Sequence, residues 1–206
     1  MALDERMDTI QDLDRRAVEV SRALVRRITA DQLGLPTPCA GWDLGALLAH
    51  MTVQHHGFAR AVAGERTDVT DWQPAAPGDD PVAAYDTAAD HVIAAFGAPG
   101  VTEGRAYLPE IRGGVTVPVP MAMSFHFVDY VVHSWDVAAT LGVPVTFDDD
   151  VLAAALAVAE QVPDDEGSRG LGMAFAAALP TVPEAGTLER VLTRLGRSPD
   201  WSRSPA

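Results

Sequence analysis

The chain has 206 residues, enough for one sizeable core, since a chain of this size buries roughly 70% of the surface it exposes unfolded. Its 29 acidic against 15 basic residues leave a formal charge of -14, which argues against charge-driven binding to nucleic acid or to an anionic membrane surface. The single cysteine, Cys39, rules out an intrachain disulfide and a cysteine-based zinc cluster.

Charged residues Asp4, Glu5 and Arg6 stand where a signal peptide would need an apolar core, and no apolar run approaches the ~20 residues of a membrane span. The expectation is a soluble, cytoplasmic protein. All fifteen basic residues are arginine, and with abundant alanine this suggests a GC-rich coding sequence.

From Arg6 to Thr29, Ile10, Leu13, Ala17, Val20, Leu24 and Ile28 recur at helical spacing and predict a long amphipathic helix. The proline- and glycine-rich stretch from Gly34 to Trp42 is turn chemistry. Asp43 then caps a second helix running to about Ala63, which carries His50, His55 and His56. Residues 64–80 read as a loop, and Asp80-Pro81 opens a third helix that continues through Tyr85, Ala89, Val92 and Phe96. Gly113-Gly114 and the alternating Val115-Thr116-Val117 predict a short hairpin or extended excursion between Gly97 and Pro120.

A fourth helix spans about Met121 to Leu141 and ends at Gly142. Beyond Pro144 the pattern predicts a helix of small residues from Val151 to Gln161, an acidic, glycine-rich loop at 163–172, and an extended stretch from Phe175 to Pro183. A last short helix follows, capped by Thr187 and ending near Gly196. The fold class is therefore mainly α: a four-helix bundle over residues 1–144 with a short β excursion, and a small α/extended appendage over residues 145–206 packed on it.

The fourth helix carries the chemistry. His126, Asp129, His133, Asp136 and Thr140 fall within an arc of about 80° on one face, and the rest of its circumference is Phe, Val, Trp and Ala. A helix that apolar is normally buried, so its polar stripe must point at solvent or at something that needs ligands. Asp129 and His133, four residues apart, supply two ligands from adjacent turns, which is how helical metal sites are built. A third ligand from another helix would leave coordination positions open. His50 and His55 both qualify on the helical wheel. His126 is a candidate third ligand, partner or general base; His91 and His56 are expected at the surface. Cys39 sits in a turn with no partner base indicated by the sequence, so a nucleophile role is disfavoured, and Trp42 and Trp135 read as packing residues.

Thr37-Pro38-Cys39-Ala40-Gly41-Trp42-Asp43 followed by Leu47-Leu48-Ala49-His50, and Asp129-x3-His133-Ser134-Trp135-Asp136 with Gly142, resemble an actinobacterial DinB-like family. Its best-known member type is the metal-binding N-terminal domain of mycothiol-dependent maleylpyruvate isomerase. The ending Leu195-Gly196-Arg197-Ser198-Pro199-Asp200-Trp201 resembles that of metal-binding proteins of the same superfamily. The resemblance implies a DinB-like four-helix bundle holding a divalent metal through His50, Asp129 and His133, and so favours His50 over His55. Asp136 is then a supporting hydrogen-bond partner.

Relatives often have glutamate at the position of Asp129, and His126 lies outside the family pattern. Zinc is the default metal, with iron, nickel and manganese also suited to the donor set. The implied chemistry is a thiol, mycothiol or a similar low-molecular-weight thiol, activated for isomerisation or S-transfer of a small-molecule substrate. The alternatives are hydrolysis by metal-bound water and a non-catalytic metal- or small-molecule-binding protein. DinB-like bundles often pair, so a homodimer is compatible with this reading.

Overall fold

The structure, a computed structural model, describes residues 9–75, 78–111, 113–164, 169 and 175–203. Helix α1 spans Ile10–Val25, with the Thr9 hydroxyl accepting from the Asp12 amide at 3.2 Å, a side-chain cap for an otherwise orphaned donor. Residues 6–8 of the predicted helix lie outside the described residues. The C-terminal end is shorter than the apolar spacing suggests. Arg27 and Ile28 bond three residues back, to Leu24 and Val25. Thr29 then opens a short 3-10 turn at Ala30–Gln32, its amide donating to the Gln32 side chain at 3.0 Å.

The turn that follows folds back on itself. The amides of Leu44 and Gly45 donate to the carbonyls of Leu35 and Leu33, which sets Trp42 beside the start of α2, Leu44–Val62, capped by Asp43 at 2.8 Å from the Ala46 amide. Helix α3 spans Pro81–Phe96 with Asp80 as its cap. Strands β1, Arg105–Leu108, and β2, Val115–Pro118, pair antiparallel with Arg105 opposite Pro118 and Leu108 opposite Val115. This is the hairpin that the alternation predicts.

Helix α4 runs Val119–Leu141 and closes on Gly142 at φ 67°, a left-handed position that glycine takes without a Cβ clash. Helices α5, Asp149–Gln161, and α6, Thr187–Arg194, follow, and two further 3-10 turns, Val69–Trp72 and Val101–Glu103, flank α3. Thr187 is the first helical residue and not the cap. Gly186 holds the cap position, and the Glu189 carboxylate accepts from its amide at 3.0 Å, the N3-to-cap half of a capping box. Most of the expected loop at 163–172, residues 165–168 and 170–172, lies outside the described residues.

Helix α1 packs against α4, α2 against α3, and α2 also against α4. One continuous core runs from Leu13, Val18 and Leu48 through Phe127 and Val131 to Val151, Ala155, Leu192 and Leu195, so α5 and α6 share apolar packing with the bundle. A second cluster, with Phe58, Trp72, Phe96, Leu108 and Met123, lies under the hairpin. Among the described residues no helix is long and apolar enough to cross a membrane.

Candidate metal centre

The polar stripe of α4 divides in two. Asp129 and His133 face α2, where ligand atoms of His50, Asp129 and His133 lie within 4.8 Å of one another. His50 and His133 meet edge to face with ring centroids 5.3 Å apart, and Trp42 leans on His50 at 4.7 Å. His126, three residues before Asp129, is fully buried. Its Nδ1 lies 2.6 Å from Asp14 on α1, and its Nε2 lies 3.0 Å from His55 Nδ1. The structure thus places His50 with the Asp129–His133 pair, and His55 and His126 in a separate buried chain.

The orientation of His133 is decided from behind. Its Nδ1 donates to Asp136 Oδ2 at 2.9 Å, which leaves Nε2 facing Asp129 Oδ1 at 3.4 Å. Neutral Nε2 and an ionised carboxylate are both acceptors, so this close pair calls for a cation. A proton on His133 serves one state of the site. Burial opposes the imidazolium, but Asp129, the Asp136 hydrogen bond and Cys39 together hold its pKa well above the ordinary histidine value. His50 goes the other way: burial, with His133 and Arg197 nearby, pushes it down to about 4. It is therefore neutral at pH 7, the form that ligates a metal.

Asp136 is itself clamped. Arg197 Nε donates to Asp136 Oδ1 at 3.0 Å, Arg197 Nη2 reaches Cys39 Sγ at 3.0 Å, and the Cys39 thiol donates to Asp136 Oδ2 at 3.1 Å. Burial alone would raise the Asp136 carboxyl, yet its bond to His133 and the Arg197 guanidinium hold it below the usual range. Arg197 is delivered by a tight helix end. Gly196 takes φ 78°, a Cβ there would meet Ala176 at 2.7 Å, and the Arg197 amide bonds back to the Leu192 carbonyl at 2.8 Å, a Schellman closure. Cys39, His133 and Asp136 also converge within 4.8 Å. With the Arg197 guanidinium already between Cys39 and Asp136, however, that cluster carries its own cation.

The family model described as the mycothiol maleylpyruvate isomerase N-terminal domain matches residues 15–138, a span that includes all three clustered residues on α2 and α4. The chain belongs to that family. An uncharacterised protein of Mycobacterium tuberculosis, found in two strains, is 30% identical over 185 residues, covering 89% of this chain and 94% of its own. Among solved structures, the mycothiol-dependent maleylpyruvate isomerase superposes with a TM-score of 0.56 at 16% identity, over 74% of this chain and 70% of that one. A histidine-to-alanine variant of that isomerase gives 0.57 at 14% identity, with the same coverage. These two show the fold, the mainly helical DinB-like bundle expected for the family.

Within this maleylpyruvate isomerase N-terminal-domain fold, two groups near the cluster carry no signal in the spacing of the sequence. Arg197 stands 61 residues beyond Asp136, and an arginine after a helix-ending glycine normally reads as solvated. Gln54, one turn beyond His50 and 5% exposed, donates to Glu110 at 2.6 Å. Burial pushes the Glu110 carboxyl up, with Asp129 adding to the rise. A groove of about 640 Å³, walled by Leu33, Trp42, Ala46, Ala49 and Pro74, adjoins the cluster through Trp42.

Proposed function

We propose that the protein is a divalent-metal, thiol-dependent isomerase or S-transferase, with His50, Asp129 and His133 as the metal's ligands. The observation that carries this reading is the pair His133 Nε2 and Asp129 Oδ1 at 3.4 Å, with His50 beside them and His133 Nδ1 tied to Asp136. Two imidazoles and a carboxylate suit zinc first, and iron, nickel or manganese also. Three protein ligands leave open positions, which is the pattern of a working site. When bound, the metal supplies the charge that holds a coordinated low-molecular-weight thiol as thiolate at neutral pH.

The chain's own residues do the rest. Asp136 fixes the His133 tautomer so that Nε2 is the free atom, and Arg197 fixes Asp136. His50 enters neutral. Trp42 and the apolar wall of the adjoining groove supply a surface for the non-reacting part of a small substrate. In isomerisation the thiolate sulfur forms a C–S bond to an activated double bond, whose electron pair moves onto the activating carbonyl; the resulting single bond rotates, and return of that pair breaks the same C–S bond and releases the thiolate. In S-transfer a leaving group departs with the electron pair instead.

Elemental analysis of untagged protein tests the ligand set: stoichiometric metal, lost in His133→Ala, is the expected result, and equal metal in both proteins overturns it. Turnover is tested with mycothiol and with glutathione against cis-alkene diacids and other electrophiles. Thiol-independent hydrolysis by the metal-loaded protein would favour the water-activating alternative. Metal binding without any turnover would favour a binding protein.

A further inference from the structure

The sequence places His56 and His91 at the surface as unrelated residues, but the fold brings them together. His56 lies on α2 and His91 on α3, their Nδ1 atoms are 3.1 Å apart and their ring centroids 5.4 Å apart. His91 is exposed and His56 half-buried. The two helices that carry them pack against each other, so the core sets how close the two backbones stand. His56 also faces a different way from His50: six residues further along, it is turned about 240° around the helix.

Two neutral imidazoles at this distance have two arrangements. If one ring carries its proton on Nδ1, it donates to the other. If both carry it on Nε2, two lone pairs face each other and a cation between them removes the conflict. Two nitrogen ligands at about 2.0–2.1 Å from one metal stand roughly 2.9 Å apart at a right angle and about 3.4 Å apart at a tetrahedral one. The observed 3.1 Å lies between these values. Burial, with His91 beside it, lowers the proton affinity of His56, which keeps its lone pair available near neutral pH.

We infer that His56 and His91 form a cross-helix chelate for a first-row divalent transition metal, separate from the His50, Asp129 and His133 cluster. Two imidazoles with the remaining positions left to water bind Cu(II) ahead of Ni(II) and Zn(II) by the ordinary affinity order. Because the ligands come from two helices, the ion binds the folded chain in preference to the unfolded one and raises its melting temperature.

The test uses full-length, untagged protein carrying His133→Ala, which removes a residue of the other cluster, titrated with Cu(II) by calorimetry and by electron paramagnetic resonance. One copper with two imidazole nitrogens is expected. Adding His91→Ala, a change at an exposed position that leaves the core intact, should weaken binding roughly tenfold or more by breaking the chelate and abolish the copper-induced rise in melting temperature. Equal copper affinity with and without His91 overturns the inference, and so does a copper spectrum lacking the two-nitrogen signature. The outcome is separate from that of the proposed function: the chelate survives if His50, Asp129 and His133 hold no metal, and fails on its own if only His91 is irrelevant.

Discussion

His126 Nδ1 and Asp14 Oδ1 share a hydrogen bond at 2.6 Å, with both side chains sealed from solvent. The chain continues to His55, whose Nδ1 lies 3.0 Å from His126 Nε2 and whose own Nε2 has no partner among the described residues. Phe58, Phe96 and Tyr130 pack their rings on His126. The polar chain is therefore wrapped in aromatic surface, which strengthens each of its hydrogen bonds and makes each broken one costly.

Removing one partner strands the other. His126→Leu leaves the Asp14 carboxyl buried without its partner, and a loss of about 3–5 kcal/mol in urea unfolding is expected. Asp14→Leu should cost a similar amount. The double variant should lose clearly less than the sum, because no stranded group then remains. Metal content of folded His126→Leu should match that of the parent. A loss of metal without a loss of stability would instead put His126 in the metal centre.

The buried histidines also set a pH dependence in the metal-free protein. Burial, followed by His126, holds His55 well below the ordinary histidine value, and His50 is down to about 4. Below pH ~6.5 the unfolded chain takes up protons that these native residues refuse. Their contribution is thus fully present above pH ~6.5 and is lost as pH falls. His133 has the opposite sign: its raised value makes its contribution full below pH ~6.5 and lost at higher pH, so it adds no slope on the acid side. Asp14, raised by burial, opposes the loss at the acid end. Between pH 6.5 and about 4 stability should fall, by roughly 1.4 kcal/mol per pH unit for each histidine well below its unfolded value. His55→Leu should flatten that slope by about one histidine's share. Identical slopes for the two proteins in denaturant unfolding at pH 7 and pH 5 would contradict the assignment.

Arg197 is expected to act on the metal through Asp136 and His133. Replacing it with leucine removes the donors that hold Asp136, frees that carboxylate to turn, and loosens the His133 ring. A metal affinity lower by about 10–100-fold is expected, with Asp136→Asn producing a similar loss. Arg197→Lys keeps the charge without the planar fork and should recover part of it. Competition with a chromogenic chelator, corrected for folded fraction, separates this from simple destabilisation. Unchanged affinity in Arg197→Leu would mean that His133 holds its orientation without the clamp.

How much of this was legible in the sequence depends on the range of each interaction. Asp129 and His133 are one turn apart on one helix, so their pairing follows from spacing alone. His50 and His55 both sit toward the apolar side of α2, and periodicity cannot separate them. What separates them is the rotation of α2 against α4, which brings the Tyr130 ring onto His55 at 4.0 Å and the His133 ring to His50 at 5.3 Å; only the family resemblance gave that choice in advance. Asp14 carried no signal of its own, because its partner is 112 residues away. Arg197 stood only inside the terminal motif that carries the family resemblance, with no role attached to it, because a buried guanidinium makes sense only once Cys39 and Asp136 converge on it. Helix ends were lost to local competition, as where Thr29 and Gln32 form their own turn and α1 stops at Val25.

Cys39 offers the last prediction, because two opposing influences act on one sulfur. Arg197 and a protonated His133 favour the thiolate, whereas burial and the neighbouring Asp136 charge favour the thiol, and the balance leaves the Cys39 pKa raised. The side chain is 8% exposed, so a reagent has little access even to the minor thiolate fraction. Iodoacetamide at pH 7.5 should therefore label the native protein slowly, at least roughly a hundredfold slower than the unfolded chain, because labelling has to wait for local opening. Asp136→Asn should speed native labelling: it removes the negative charge that disfavours the thiolate and keeps Arg197 next to the sulfur. Native labelling as fast as that of the unfolded chain would show that the cations prevail over burial, and Cys39 would then stand as a nucleophile within reach of His133.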